Sequence, residues 1–344
     1  MKFPISKKYI YFDSARSGGM YQELLYWRKK HDNLFLNKGS QFRFNYDDFI
    51  EDVRNGVTDF FNSQNNFVFL TNSFSVGFNS LLSILNPNLK FLLIKDDYPS
   101  IIDKVRINRF KHDFVENTFD LEEKIIKKIE IFKPQVLAIS IVQYLNGVYL
   151  NLDFFNKIKS KYPELLIIAD GTQFCGTKSF DFNSSAIDIL ISSGYKWLYS
   201  GYGNGFLLIK KNFIRNFLKN SDIKNLEKFL SGTFEPGNLD TLSFGSLLFS
   251  INMISKYGID KIEKKVNSLS NYAYKKFNVY NLLDYQTINR QRHSNIFNIK
   301  GNKLLYKKLI KNQIICSIRG SGIRVSFNFY NKKKEIDYLL KFFK

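Results

Sequence analysis

Six runs of strand length, each apolar on both faces, set the limits on how this chain folds. They are NFVFLT (66–71), LKFLLIK (89–95), QVLAISIV (135–142), ELLIIAD (164–170), IDILISS (187–193) and GFLLIK (205–210). A strand wetted on one face alternates apolar and polar residues; a run without alternation is covered on both sides. A helical pattern, VGFNSLLSIL (76–85), follows the first run. Buried strands alternating with helices predict an α/β fold whose mostly parallel sheet is covered by helices. The texture changes near residue 241. A long apolar helix (241–257) leads into the amphipathic KIEKKVNSLSNYAYKKF, and then HSNIFNIK, ICSIRG and IRVSFNF are interleaved with two more helices. The expected organisation is a large α/β domain over 20–245 and a smaller α+β domain made of 1–19 and 246–344.

Composition narrows the function classes. Of the 344 residues, 44% are hydrophobic and 17% aromatic, which excludes a disordered chain. Two cysteines, Cys175 and Cys316, cannot build a disulfide framework and suit a reducing compartment. The opening MKFPISKKYIYFD lacks the apolar run of a signal peptide, and no stretch approaches the ~18 apolar residues of a membrane span. A cytoplasmic protein with no membrane partner is expected. The net charge of +20 raises nucleic-acid binding. The lysines are spread along the chain, and the densest group, Lys332 to Lys334, is followed at once by Glu335 and Asp337. No zinc-finger, RRM or basic-zipper pattern accompanies them, so a biased composition is the preferred reading.

Two residues stand where chemistry is done. Asp170 closes an apolar strand, at the sheet edge where open α/β sheets bind ligands, although a helix-capping aspartate would look the same. Lys196 follows the next apolar run within ISSGYKWLYSGYGNG, among small and aromatic residues; a surface lysine with a snorkelling stem is the plain alternative. Together they suit a cofactor with two needs: an amine to form an imine with its aldehyde, and a carboxylate to keep its ring nitrogen protonated. GTQFCGTK (171–178) approaches a P-loop, but Thr177 and Lys178 stand in reversed order. There is no zinc-spaced His/Cys cluster and no Gly-x-Ser-x-Gly elbow.

DGTQFCGTKSFDF followed by ISSGYKW resembles the class V aminotransferase group of fold-type I, pyridoxal phosphate (PLP)-dependent enzymes, which includes cysteine desulfurases, kynureninases and transaminases. The resemblance extends in register. YIYFDSARSG (9–18) is similar to the group's opening segment and TNSFSVGFNSLL (71–82) to its phosphate-binding turn and helix. DDYPS (96–100) resembles the turn that supplies a ring-stacking residue, FEPGNLD (234–240) the Glu-x-Gly-Thr segment, and SIRGSGIRVSFNFYN (317–331) the C-terminal arginine signature.

The resemblance implies roles residue by residue. Lys196 would carry PLP as a Schiff base and act as general base at Cα. Asp170 would face the pyridinium nitrogen and Gln173 the ring hydroxyl. Phe74 and Ser75 would bind the phosphate at a helix start, a placement that free N–H groups favour on their own account. Tyr195 would lie beside the phosphate, Tyr98 would stack on the ring, and Gln143 would lie near the ring hydroxyl. Arg324 would clamp the α-carboxylate of an amino acid substrate, a task for which a planar guanidinium is suited. Asn238 stands where relatives reach the neighbouring subunit's phosphate, which implies a homodimer with shared sites. Cys316 lies only eight residues before Arg324, inside QIICSI, so the desulfurase cysteine loop is not evident. Transamination is the first expectation. The alternatives are a desulfurase or kynureninase-like lyase, and an inactive family member serving as a partner subunit.

Overall fold

A computed structural model describes residues 1–211, 214–220, 222–290 and 292–343. Numbered along the chain, its strands are β1 (Ile10–Tyr11), β2 (Phe67–Thr71), β3 (Lys90–Ile94), β4 (Lys111–Val115), β5 (Val136–Ser140), β6 (Leu166–Asp170), β7 (Ile189–Ser193), β8 (Gly205–Ile209), β9 (Ile296–Ile299), β10 (Ile314–Ile315), β11 (Ser317–Arg319) and β12 (Gly322–Ser326). The main sheet has seven strands in the order β2–β8–β7–β6–β5–β3–β4. β8 runs antiparallel to both its neighbours, and the other strands are parallel. All six apolar runs became strands of this sheet. β4 was not foreseen: it is the edge strand, and KHDFV is mostly wetted, so it lacks the apolar signature of its neighbours.

Alternate residues of each strand enter opposite cores. Leu137, Ile139, Ile167, Ala169, Leu190 and Leu208 pack on one side, against the helices Tyr46–Phe60, Leu121–Phe132 and Thr241–Tyr257. Ala138, Ile168, Ile189, Ile191, Leu207 and Ile209 pack on the other, against Phe74–Ile84, Pro99–Ile107 and Leu226–Phe234. β5 to β8 are wholly buried, each Leu or Ile worth about 2 kcal/mol on leaving water. A second, antiparallel sheet, β11–β12–β9, lies over a third core with the helices Ile259–Val279, Lys303–Lys311 and Lys333–Leu340. Residues from the beginning of the chain join it: β1 pairs in parallel with β10, and Asp13 bridges to Ser326. Among the described residues no helix is long and apolar enough to cross a membrane.

The edge strand β2 is tied down by a carboxylate. Glu235, from the end of the helix Leu226–Phe234, accepts from the Leu70 N–H at 2.6 Å and from Arg54 Nη2 at 2.7 Å. Replacing Glu235 with Ala leaves the buried Leu70 N–H unmatched and Arg54 with only its partly exposed pair to Glu51. The expected loss is about 2–3 kcal/mol of unfolding free energy, measured by denaturant titration; an unchanged midpoint would show the tie to be ornamental.

Candidate active site

Parallel strands deliver their carboxyl ends to one edge, and the side chains foreseen for cofactor binding gather there. Asp170 ends β6, paired with Ser140 of β5 on one side and Ile191 of β7 on the other. Lys196 leaves β7 three residues beyond Ser193. Lys196 and Asp170 are each only 6% exposed. Burial pulls the Lys196 amine well below the usual lysine range; Asp170 opposes that shift, and the Arg324 and Arg319 charges reinforce it. Burial pushes Asp170 up, against the hydroxyl and N–H of Thr172 and the charge of Lys196. The Thr172 N–H donates to Asp170 Oδ1 at 2.8 Å, which fixes the carboxylate's direction. The pair attract each other without a direct ion pair between them among the described residues.

Aromatic rings wall this space. Lys196 Nζ lies 5.8 Å from the Tyr98 ring centre and 5.5 Å from that of Tyr195. Tyr98 meets Phe74 and Tyr144 edge-on, at 6.0 and 5.8 Å. Tyr195 stacks on Tyr202 at 4.8 Å. Phe74 begins a helix capped by Ser73, and its N–H is held by Ser193 Oγ at 2.8 Å. The Ser75 hydroxyl pairs with that of Ser100 at 2.7 Å. With the Phe74 and Val76 N–H groups taken by Ser193 and Ser73, the Ser75 N–H and the Ser75 and Ser100 hydroxyls are what this first turn offers a phosphate.

The remaining expected residues differ in their freedom. Gln173 is engaged at both ends: Nε2 donates to the Ala15 carbonyl at 2.8 Å and Oε1 accepts from Trp197 Nε1 at 2.9 Å. One N–H remains for a ligand. Gln143 is fully buried beside Asp97, its Nε2 3.4 Å from the Ser140 carbonyl and its Oε1 without a partner among the described residues. Arg324 is 2% exposed; Nη1 donates to the Tyr144 carbonyl at 2.8 Å, Nη2 lies 3.7 Å from Asp13, and Nε has no partner among the described residues. These unsatisfied buried polar atoms, beside the Lys196 amine and the Asp170 carboxylate, are a donor and acceptor set that fits PLP with an amino acid. Asn238 stands apart: it is exposed and accepts from Arg43 at 2.7 Å.

Several site residues escaped the sequence reading. Asp97 is buried and receives the Ser140 hydroxyl at 2.6 Å, the Ser140 N–H at 2.9 Å and the Tyr98 N–H at 2.6 Å, so it locks the turn bearing the ring-stacking candidate. Asp13 accepts from the Ser317 hydroxyl, which lies 2.7 and 2.6 Å from its two carboxylate oxygens, and faces Arg324. The Ala15 N–H donates to Ser326 Oγ at 2.9 Å, and the Gly18 N–H to the Tyr195 carbonyl at 3.0 Å. Residues 13–18 thus form a strap that touches the holders of Arg324, Gln173 and Lys196 in turn. A Cβ built on Gly18 would fall within the Lys196 carbonyl oxygen. No spacing signalled the strap's contacts, because each partner lies more than 150 residues away.

Two outcomes follow from this geometry. Gly18→Ala must push the strap off the Lys196 backbone; the expected result is about tenfold weaker PLP retention, read by dialysis and visible absorbance. The neutral amine is the form that captures an aldehyde, and burial favours it. Stripped protein should therefore reload PLP at a rate that rises with pH and levels off well below the ordinary lysine value of about 10.4; a midpoint at that ordinary value would contradict the burial argument.

Known proteins bear on the whole chain. Residues 10–339 match the family model described as aminotransferase class-V. A probable cysteine desulfurase of Mycoplasma genitalium is 23% identical, over 99% of this chain and 93% of its own length. A kynureninase of Vanderwaltozyma polyspora is 24% identical over 61% of this chain and 56% of its own length. Among solved structures, the cystine C–S lyase C-DES in complex with its product cysteine persulfide superposes with a TM-score of 0.88, at 17% identity over 100% of this chain and 99% of its own. A cysteine desulfurase of Thermococcus onnurineus NA1 superposes at 0.82, at 17% identity over 99% of this chain and 95% of its own. With its seven-stranded sheet and a family match spanning nearly all its length, the chain belongs to the class V aminotransferase family of fold-type I PLP-dependent enzymes.

Proposed function

We propose that this chain is a PLP-dependent lyase that breaks the Cβ–S bond of a cysteine-derived amino acid, and that it does so without a protein thiol. The observation that carries this reading is the hairpin beside Arg324. Only Gly320 and Ser321 separate β11 from β12, so no loop extends from this point to bring a cysteine over Lys196. Cys316 and Cys175 are buried, and burial pushes both thiols up to about 12, far from a reactive thiolate. Relatives named cysteine desulfurases support sulfur chemistry over the transamination expected first. A desulfurase that parks sulfur on its own cysteine is disfavoured by the hairpin, whereas elimination needs no such acceptor. Cysteine and water would yield pyruvate, ammonia and hydrogen sulfide, with no oxidant or reductant.

In this reading Arg324 grips the α-carboxylate through its unpartnered Nε and a neighbouring Nη, and Asp13 holds the guanidinium in place. Asp170 faces the ring nitrogen. Tyr98 lies against the ring, and the start of the helix Phe74–Ile84 takes the phosphate, with Tyr195 alongside. Gln173 and Gln143 serve the ring hydroxyl. PLP, when bound, supplies an electron sink for negative charge at Cα. Lys196 attaches the cofactor and, once released by substrate, moves the Cα proton, a task suited to an amine that burial keeps neutral. The reading includes a homodimer in which Asn238 reaches the partner's phosphate. Leu25, Tyr26, Phe35 and Leu36 on the helix Gln22–Lys38 are exposed apolar side chains that a second copy would cover. The retained Lys196, Asp170 and Arg324 weigh against an inactive partner subunit.

The test is product analysis of purified holoenzyme with L-cysteine and with L-cystine. Pyruvate should appear in equal amount with sulfide or persulfide. Lys196→Ala should abolish turnover, and the Cys175→Ala/Cys316→Ala double variant should keep it within about twofold. Amino transfer to an oxo acid, or a persulfide trapped on Cys316, would overturn the proposal.

A further inference from the structure

The substrate arginine has a companion. In the β11–β12 hairpin Ser317 pairs with Arg324 and Arg319 with Gly322. Cross-strand partners point to the same face, and so do residues two apart on one strand. Arg319 and Arg324 therefore share one face of the hairpin as diagonal neighbours. The hairpin is held against the 144–146 segment: Asn298 Nδ2 donates to the Arg319 carbonyl at 2.8 Å and reaches the Leu145 carbonyl at 3.4 Å. Arg319 is half-buried, and among the described residues it forms no ion pair; its Nη1 donates only to the carbonyl of adjacent Ile318, at 3.2 Å. The register thus sets Arg319 beside Arg324, whose Nη1 donates to the Tyr144 carbonyl, and the Arg319 charge helps to lower the Lys196 amine.

The buried carboxylates near this hairpin are already engaged, Asp97 by Ser140 and the Tyr98 N–H. Asp170 is committed to the ring nitrogen. Asp13 faces Arg324 and is held by Ser317. The α-carboxylate would answer Arg324. Arg319 is left with a half-desolvated guanidinium, four of its five N–H donors without a protein acceptor and no anion of its own. We propose that Arg319 is a side-chain subsite that selects an amino acid carrying a second oxyanion, a carboxylate or sulfonate, beyond the Cβ–S bond. This rests on the C–S lyase reading for the identity of the bond, but not for the preference itself.

Binding of a series of S-substituted cysteines, read as the shift in visible absorbance of the holoenzyme, tests it. S-carboxymethyl-L-cysteine carries a distal carboxylate, S-sulfo-L-cysteine a distal sulfonate, and S-methyl-L-cysteine no charge. The wild type should bind at least one anionic compound about 10- to 100-fold more tightly than the methyl compound, and the two anionic arms identify which oxyanion fits. Arg319→Gln should collapse that ratio towards one, and Arg319→Lys should restore part of it. A wild type without the preference, or a ratio unmoved by Arg319→Gln, overturns the proposal. Failure of the lyase reading shows separately, as binding without release of pyruvate.

Discussion

Everything in this site depends on keeping a lysine amine and a carboxylate dry together. In water the two would be fully charged and of little use to each other. Buried at the end of two adjacent parallel strands, each loses hydration, and each tempers the other's loss. The Thr172 N–H fixes the carboxylate's direction, and the rings of Tyr98 and Tyr195 lie 5.8 and 5.5 Å from the amine. The sheet makes this possible: β6 and β7 are buried along their whole length, and their polar residues, Asp170, Ser192 and Ser193, stand at the carboxyl ends. The rest of the molecule is arranged to cover that edge.

The cover comes from distant parts of the chain. The large sheet supplies the cofactor-facing groups, and the small antiparallel sheet supplies the arginines. The strap of residues 13–18 lies between them. Asp13 serves the arginine side through Ser317 and Arg324, while Gly18 serves the lysine side through the Tyr195 carbonyl. A shift of the small sheet relative to the large one must act on this strap, so the surroundings of Arg324 and the Lys196 backbone are mechanically linked.

How much of this could be read from the sequence depends on whether a residue's reason for being there is local. Asp170 and Lys196 announce themselves because a charged residue at the end of an apolar run is locally anomalous. Arg324 was legible within a contiguous signature. The six apolar runs were legible because burial on both faces leaves no alternation. β4 was not, since an edge strand needs no apolar run. Asp97 sat within a quoted motif, yet its work is to receive Ser140, and nothing in the spacing of 97 and 140 says so. Gly18 and Arg319 were likewise inside quoted segments; their importance lies in what they face across the fold, a relation that exists only in three dimensions.

The pairing of residues 10–18 with residues 314–326 has a consequence for the order of events in folding. The first of these segments is synthesised early and its partners very late. Until β10 and β12 have left the ribosome, β1 has no strand to join and the strap has no anchor. The seven-stranded sheet can form before then, with Lys196 already in place behind it. Contacts of such long sequence separation are slow to close. The arginine side of this edge is therefore the last part to be built, and a chain that stopped before residue 324 would carry Lys196 without Arg324.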